Sequence, residues 1–255
     1  MKRRDHLINL ALLPLSGTVF PAFAGSTEPD NSGSDEPSNI FRSIGVEPII
    51  NCRGTFTIIG GSIERPEVRA AMEAASQNFI QYDELADGIG KKLAELTGAE
   101  WGVVSAGCAA GLKHVTAACV TGGNPEKLVR IPDLNGFEKN EVVVPRHSRN
   151  SYDHAIRNIG VRMITVDTIE ELENALNSRT AMIYIMAYGS SQPGQPMSAE
   201  AIAKIAGPKG IPVLVDAAAE VLTIPNVHLQ QGATVVAYSG GKAICGPQCK
   251  TLPTP

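Results

Sequence analysis

The sequence predicts an α/β protein with three layers (α/β/α), in which a mostly parallel β-sheet lies between two layers of helices. Short apolar runs typical of buried strands alternate with segments of about ten residues whose apolar side chains recur at helical spacing. Such alternation is typical of βαβ crossovers, which place neighbouring strands parallel and bury the sheet on both faces. Because ligands of open parallel sheets bind beyond the carboxyl ends of the strands, polar residues that follow strands are the candidates for chemistry.

The predicted elements follow one another along the body of the chain. Helices are predicted over 66–79, 84–96, 112–120, 151–159, 169–176 and 199–206. Strands are predicted over 101–104, 141–144, 161–166, 181–186, 211–215 and 234–238. In the first helix Val68, Met72, Ala75 and Phe79 recur at helical spacing, and Gly98 follows the end of the second.

Composition places the chain among soluble globular proteins. Its 255 residues suffice for one large α/β domain or two small ones, and 43% of them are hydrophobic against 19% charged. A net charge of −4 gives no general attraction to nucleic acid or to an anionic membrane. The five cysteines are odd in number and widely spread, so they predict no disulfide framework. Cys245 and Cys249 lack the second pair of ligands that a zinc site needs, so no metal is predicted.

Residues 1–24 have the pattern of a signal peptide. Lys2-Arg3-Arg4 precedes an interrupted apolar stretch, too short to span a membrane, and Ala22-Phe23-Ala24 supplies a cleavage site. The two arginines followed by Leu7 also resemble a twin-arginine signal, which carries folded proteins. The sequence therefore predicts export to the periplasm or the extracellular space, or a cytoplasmic protein if the start of the gene is misassigned. Residues 25–43, rich in Ser, Pro, Gly and acidic residues, predict a disordered linker.

Two strand ends carry the residues that a pyridoxal phosphate site requires. Lys242 follows the last predicted strand in Ser239-Gly240-Gly241-Lys242, and Asp216 ends the strand before it. A lysine amine can form a Schiff base with the aldehyde of this cofactor, and an aspartate can pair with its pyridinium nitrogen and keep it protonated. Either residue alone is better explained as a surface lysine or a helix-capping aspartate. Together with the glycine-containing loop described next, they favour the cofactor site.

A loop of small residues, 105–111, links predicted strand 101–104 to the following helix. Gly107, Cys108 and Ala109 let the backbone approach a ligand closely, and amides at a helix N-terminus can hold a dianionic phosphate. Tight packing explains such a turn equally well when it is considered alone. Ser239 can add a hydroxyl to the same phosphate. Cys108 is predicted to be a small residue of this phosphate cup rather than a nucleophile.

The loop after strand 141–144 is rich in polar side chains. We predict that His147, in this loop, covers one face of the cofactor ring and that Ala218 packs against the other. The alternative for His147 is a solvated loop histidine. Tyr152 and its two neighbours along the chain are expected to pack or to cap the following helix.

These motifs resemble those of the selenocysteine synthase-like (L-seryl-tRNA(Sec) selenium transferase-like) family, among the fold type I transferases that use pyridoxal phosphate. The resemblance runs from about residue 44 to residue 248 and is carried by 93–100, 105–111, 146–149, 213–220 and 239–248. It implies a cofactor-binding large domain over 44–248, with Lys242 as the Schiff-base lysine, Asp216 as the partner of the ring nitrogen and 107–109 as the phosphate cup. It also implies that segment 51–55 reaches toward the active site and that the protein is a homo-oligomer.

Two departures from that family shape the predicted function. An exported protein does not meet seryl-tRNA, so the predicted substrate is a small amino acid or an amino sugar acid, and tRNA is a partner only of a selenium transferase proper. Family members continue past residue 248 into another strand and a small C-terminal domain. Here residues 249–255 contain Pro253 and Pro255 and predict an irregular tail, with the small domain missing. The chain is therefore expected to be a fragment, a frameshifted product or a truncated gene model, with a sheet that lacks an element and exposes apolar surface.

The sequence thus predicts a lyase or transferase that depends on pyridoxal phosphate. In this hypothesis Lys242 takes the α-proton of the substrate, Asp216 helps the ring to accept the charge, and a β-leaving group departs or is replaced. Four alternatives stay open: an inactive truncated relative that binds the cofactor, a dinucleotide-dependent α/β enzyme, a cysteine hydrolase built on Cys108 and His147, and L-seryl-tRNA(Sec) selenium transferase proper. Against the second, no G-x-G-x-x-G follows an early strand.

Overall fold

A mostly parallel β-sheet is the central feature of the computed structural model, which describes residues 39–247 and 251–254. Its strands are β1 (Glu141–Pro145), β2 (Arg162–Val166), β3 (Thr180–Met186), β4 (Val213–Asp216), β5 (Val235–Ser239) and β6 (Thr251–Thr254). In the described residues they form one sheet in the order β2-β1-β3-β4-β5-β6, and all neighbours are parallel except β5 and β6. The carboxyl ends of β1 to β5 therefore lie at one edge, which confirms the predicted fold class.

Helices cover both faces of the sheet. They are α1 (Pro66–Ser76), α2 (Tyr82–Thr97), α3 (Cys108–Thr121), α4 (Pro125–Leu128), α5 (His154–Arg157), α6 (Ile169–Ala175), α7 (Ala199–Ala206) and α8 (Val227–Gln230). Successive strand residues point to opposite faces. Val143 and Ile183 pack with Leu172 of α6 and Ile202 of α7, whereas the alternate strand residues pack with Leu112 of α3. Two apolar cores, one on each face, hold the three layers together.

The chain divides into residues 1–50 and residues 51–255. In the described part of the first unit, a 3₁₀ turn covers Arg42–Ile44, and Arg42 forms an ion pair with Glu47 at 2.8 Å. The predicted signal peptide and linker residues 25–38 lie outside the described residues. Among the described residues, no helix has both the length and the apolar composition needed to cross a membrane.

The predicted strand 101–104 is wrong. These residues have no strand partner in the part of the chain that the structure describes, and Ser105 after them forms an isolated bridge. Trp101 packs closely on α2 instead, since a Cβ on Gly90 would come within 2.3 Å of the indole. Val103 and Val104 stay partly exposed. A short apolar run therefore indicates packing against a neighbouring element. It does not show that the backbone has a partner to hydrogen-bond with, which a strand requires.

Two further predictions need correction. Residues 249–255 were expected to be irregular, but Thr251–Thr254 pairs antiparallel with β5, with Pro253 opposite Ala237. Proline is accepted on an edge strand because its missing N–H can lie on the side without a neighbour. The predicted helix 151–159 is divided into a 3₁₀ turn, Ser151–Asp153, and the short α5. Asn150 caps that turn, because its side-chain oxygen accepts a hydrogen bond from the Tyr152 N–H at 2.7 Å.

Glu141 is a buried carboxylate at the amino end of β1. Arg162 and Arg179 both donate to its Oε1, Arg179 at 2.8 Å, and Asn177 donates to its Oε2 at 2.9 Å. Burial alone would raise the pKa of Glu141. The hydrogen bonds from Asn177 and Arg162 and the charges of both arginines outweigh burial and hold that pKa below its ordinary value. The ionised carboxylate therefore stabilises the fold.

We expect Glu141→Gln to lower the free energy of unfolding by about 2 kcal/mol at pH 7, because an amide cannot accept from both arginines as a carboxylate does. A group whose pKa is lowered by folding stabilises the protein above its unfolded pKa of about 4.3, and this contribution is lost as the pH falls through the folded pKa. Urea unfolding should thus show a difference from wild type at pH 7 that shrinks below about pH 4. Glu200→Gln is the control, since its ion pair with Lys204 is exposed. Equal stability of Glu141→Gln and wild type at pH 7 would contradict the argument.

Candidate active site

A cavity of about 250 Å³ lies at the carboxyl edge of the sheet, where β4 and β5 end and α3 begins. Seven of the eight predicted site residues line it: Gly107, Cys108, Ala109, Asp216, Ala218, Ser239 and Lys242. They come from separate parts of the chain. The parallel topology brings them together, because strand ends and the helix N-termini that follow them share one edge of the sheet.

Lys242 stands in a turn directly after β5. Its N–H donates to the carbonyl of Ser239 at 3.2 Å, and its own carbonyl accepts from the N–H of Cys245 at 3.0 Å. Ser62, from the N-terminal part of this unit, donates to the carbonyl of Gly241 from its N–H at 2.9 Å and from its hydroxyl at 3.0 Å. The backbone around the lysine is therefore fixed from two sides while its side chain lines the cavity.

Asp216 is the most buried ionisable group of the cavity, with 7% of its surface exposed. Its Oδ1 accepts from the N–H of Ala218 at 3.1 Å and from the thiol of Cys108 at 3.5 Å, and its Oδ2 accepts from the hydroxyl of Tyr184 at 3.0 Å. Burial raises the pKa of Asp216, although these donors and the charge of Lys242 act in the opposite direction.

Cys108 is held as a thiol. Burial raises its pKa, and the neighbouring Asp216 raises it further by charge and by accepting the thiol hydrogen. A protonated thiol is a poor nucleophile. This geometry agrees with the prediction that Cys108 is a small residue of the phosphate cup. It argues against a cysteine hydrolase built on Cys108.

The N-terminus of α3 has the form of an anion site. Gly107 caps the helix with φ of 96°, a value that side chains with a Cβ rarely adopt, and the Ser105 hydroxyl donates to the Gly107 carbonyl at 3.1 Å. The first N–H groups of a helix have no partner inside it, and the helix dipole adds positive potential there. Ser239 and Thr57 also line the cavity, and each carries a hydroxyl. The arrangement suits a phosphate group.

His147 is the predicted site residue that does not line the cavity. It lies in the 3₁₀ turn Arg146–Ser148, where its Nε2 is buried without a hydrogen-bond partner in the described residues, and burial lowers its pKa. Tyr152, which we expected to pack or cap, lines the cavity instead. Asn150 caps the turn that carries Tyr152. An aromatic residue two positions after an asparagine that can cap a turn was therefore the signal in the sequence that could have identified Tyr152.

Segment 51–55, which was predicted to reach toward the active site, does not line the cavity, but a residue that follows it does. Asn51 forms a local turn, donating to the Gly54 carbonyl at 2.9 Å and accepting from the Arg53 N–H at 2.9 Å. Both ends of that turn are exposed. Thr57, from the next turn, lines the cavity. No pattern in the sequence distinguishes Thr57 from its neighbours.

The residues of the cavity fit pyridoxal phosphate. A carboxylate has about four lone-pair positions, and three at Asp216 are used by the donors named above, which leaves one on Oδ2 for a ring N–H. Lys242 and the α3 N-terminus line the same cavity. Amine, carboxylate and anion site thus match the aldehyde, ring nitrogen and phosphate of the cofactor. The role of each residue stays a prediction.

The fold and the residues of the cavity are together those of the class of α/β proteins that use pyridoxal phosphate. Residues 143–249 match the model of the family Aminotransferase class-V. The proteins of this family and the relatives described next are pyridoxal phosphate enzymes, which confirms the predicted cofactor at the level of the class. The more specific likeness to selenocysteine synthases stays a prediction.

The chain is 32% identical over 219 residues to D-glucosaminate-6-phosphate ammonia lyase of Salmonella typhimurium, an alignment that covers 82% of this chain and 58% of that protein. It is 29% identical over 218 residues to 5'-C-glycyluridine monooxygenase-decarboxylase of a Streptomyces species, covering 81% of this chain and 54% of the relative. A solved structure of D-glucosaminate-6-phosphate ammonia-lyase matches with a TM-score of 0.78 at 31% identity, over 86% of this chain and 61% of that chain. This chain therefore spans less than two thirds of the length of these relatives.

Proposed function

We propose that this chain is the cofactor-binding part of a lyase that uses pyridoxal phosphate to release ammonia from an amino sugar acid. The observation that carries the proposal is the meeting of Lys242, buried Asp216 and the α3 N-terminus in one cavity. The likeness to a D-glucosaminate-6-phosphate ammonia lyase supports the substrate class. The motifs quoted above further support a place near the selenocysteine synthase-like group.

The chemistry follows from the positions of the side chains. Bound pyridoxal phosphate would take up the electron pair left on the α-carbon of the substrate when its proton is removed. Lys242 supplies the base that accepts this proton and can return it to the β-hydroxyl as that group leaves as water. Asp216 supplies negative charge at the ring nitrogen, and Tyr152 supplies a flat side chain for one face of the ring. The resulting enamine becomes an imine, to which water adds, so that a 2-amino-3-hydroxy acid yields a 2-oxo-3-deoxy acid and ammonia.

A neighbouring groove supports a substrate longer than serine. It measures about 270 Å³ and shares Ala109 and Tyr152 with the cavity. Lys113, on the second turn of α3, and His154 also line it. A polyhydroxy acid whose amine lies at Lys242 can extend past Tyr152 into this groove, where the ammonium of Lys113 attracts a terminal phosphate.

We also propose that two or more copies of this chain associate. Helix α1 has no buried residue, and Met72 on it and Leu85 on α2 are partly exposed, while Phe79 between the helices is fully exposed. A groove of about 490 Å³ runs between α2 and residues 101–104. Exposed apolar side chains beside a groove are typical of an interface between proteins, and a second copy is the occupant that we propose.

The test begins with the purified chain and pyridoxal phosphate. Borohydride reduction and peptide mapping should place a pyridoxyl group on Lys242, and sedimentation of the same sample should give at least a dimer. Phosphorylated and unphosphorylated 2-amino-2-deoxy sugar acids and serine are then compared by the release of ammonia and 2-oxo acid. We expect turnover of the sugar acids, with a lower KM for the phosphorylated one. Attachment without turnover would contradict lyase activity in this chain, and no attachment in folded protein would overturn the cofactor site.

A further inference from the structure

Tyr184 lies inside the sheet on β3, with no exposed surface, and its hydroxyl contacts two polar side chains. Asp216 Oδ2 is 3.0 Å from the hydroxyl oxygen, and Asn150 Nδ2 is 3.1 Å from it. The orientation of the Asn150 amide follows from backbone groups. Its Oδ1 accepts from the Tyr152 N–H at 2.7 Å, and its Nδ2 donates to the Ser148 carbonyl at 2.9 Å. Asn150 therefore donates to the Tyr184 hydroxyl, and the hydroxyl proton is left for Asp216.

The donor groups around Asp216 favour its ionised form and act against burial, which raises its pKa. The titratable or charged groups that face it are Cys108 from α3, Tyr184 from β3 and Lys242 after β5. Burial and the charge of Asp216 raise the pKa of Tyr184 as they do that of Cys108, so both keep their protons and act as donors. A carboxylate that accepts several hydrogen bonds is stabilised relative to the carboxylic acid, which has one acceptor position fewer.

We propose that Tyr184 is a positioning residue: its hydroxyl holds Asp216 as an anion and directs the free lone pair of Oδ2 toward the ring nitrogen of the cofactor. This inference rests on the proposed function and describes how Tyr184 controls the charge and orientation of Asp216 in the same site. Without the hydroxyl, Oδ2 is more basic, and a proton shared with the ring nitrogen shifts toward the carboxylate. A less protonated ring accepts charge from the substrate less well.

The test compares Tyr184→Phe with Tyr238→Phe. Tyr238, on β5, is equally buried, and its hydroxyl also accepts from an asparagine, Asn226 Nδ2 at 2.8 Å, but among the described residues it forms no hydrogen bond with Asp216. Each protein is reconstituted with pyridoxal phosphate that carries ¹⁵N in its ring, and ¹⁵N NMR measures the protonation of that nitrogen. We expect the ratio of protonated to unprotonated nitrogen to fall about tenfold in Tyr184→Phe, the effect of losing one hydrogen bond to a charged group. Tyr238→Phe should match wild type.

Peptide mapping after borohydride reduction separates this inference from the proposed function. Attachment to Lys242 in all three proteins with an unchanged nitrogen signal in Tyr184→Phe would overturn the positioning role and leave the proposed function standing. Failure of attachment in wild type would overturn the proposed function itself. If Tyr184→Phe does not fold, replacing Tyr184 with fluorotyrosine keeps the ring and strengthens the donor. The nitrogen should then become more protonated, and an unchanged or opposite signal would overturn the positioning role.

Discussion

Lys242→Ala is expected to abolish covalent attachment of pyridoxal phosphate and to lower turnover by about 10⁴-fold. The alanine has no amine to bind the aldehyde and no base at the position where the α-proton is released. Lys242 lines the cavity beside Asp216, and its turn is held by hydrogen bonds of backbone groups, which the substitution leaves in place. The protein should therefore fold as before and lose only the chemistry.

The measurement is the visible absorbance of the bound cofactor, followed by borohydride reduction and mass analysis of the peptides. Lys204→Ala is the control, because Lys204 is exposed on α7 and pairs only with Glu200 in the described residues. It should retain attachment and turnover. Small amines added to Lys242→Ala should restore part of the turnover, since they can enter the space that the side chain leaves. Normal turnover in Lys242→Ala, or a pyridoxyl group on a different lysine in wild type, would refute the assignment.

The sequence predicted the parallel sheet and most of the cavity for a common physical reason. Asp216, Lys242 and the loop at Gly107 lie directly at a strand end or a helix start, and such positions can be recognised from local patterns of apolar and small residues. Parallel topology then brings these positions to one edge without further information. These three positions in the cavity were therefore predictable in kind and in place.

Other features depend on pairings that no local pattern contains. Residues 101–104 and β6 differ in outcome because only β6 meets a partner, β5, in the described residues. Tyr184 lies in the middle of an apolar strand, where it resembles any core residue, and its role emerges from contacts with Asn150 and Asp216 on other elements. Tyr152 lines the cavity and His147 does not, and the 3₁₀ turn that carries Tyr152 begins at the Asn150 cap.

Asp216→Asn is expected to lower turnover by about 10³-fold while attachment to Lys242 persists. The amide carries no negative charge, so it cannot keep the ring nitrogen protonated, whereas the aldehyde and Lys242 are unaffected. The substitution also preserves the shape of a side chain that is almost fully buried. The ¹⁵N signal of the ring should move to the unprotonated position, and a fully protonated signal with wild-type turnover would refute the pairing.

The stability of the cofactor-free protein separates a functional carboxylate from a structural one. Burial raises the pKa of Asp216, so above the unfolded pKa of about 3.9 its ionisation destabilises the fold. At pH 7 this effect offsets part of the stability that Asp216→Asn loses with its hydrogen bonds, so the substitution should lower the free energy of unfolding of the cofactor-free protein less than Glu141→Gln does. Glu141→Gln is the matched control, because that carboxylate is equally buried but lies at the amino edge of the sheet and has a lowered pKa. It should lose stability and keep attachment and turnover. A loss of stability in Asp216→Asn as large as that in Glu141→Gln would instead make Asp216 a structural residue like Glu141.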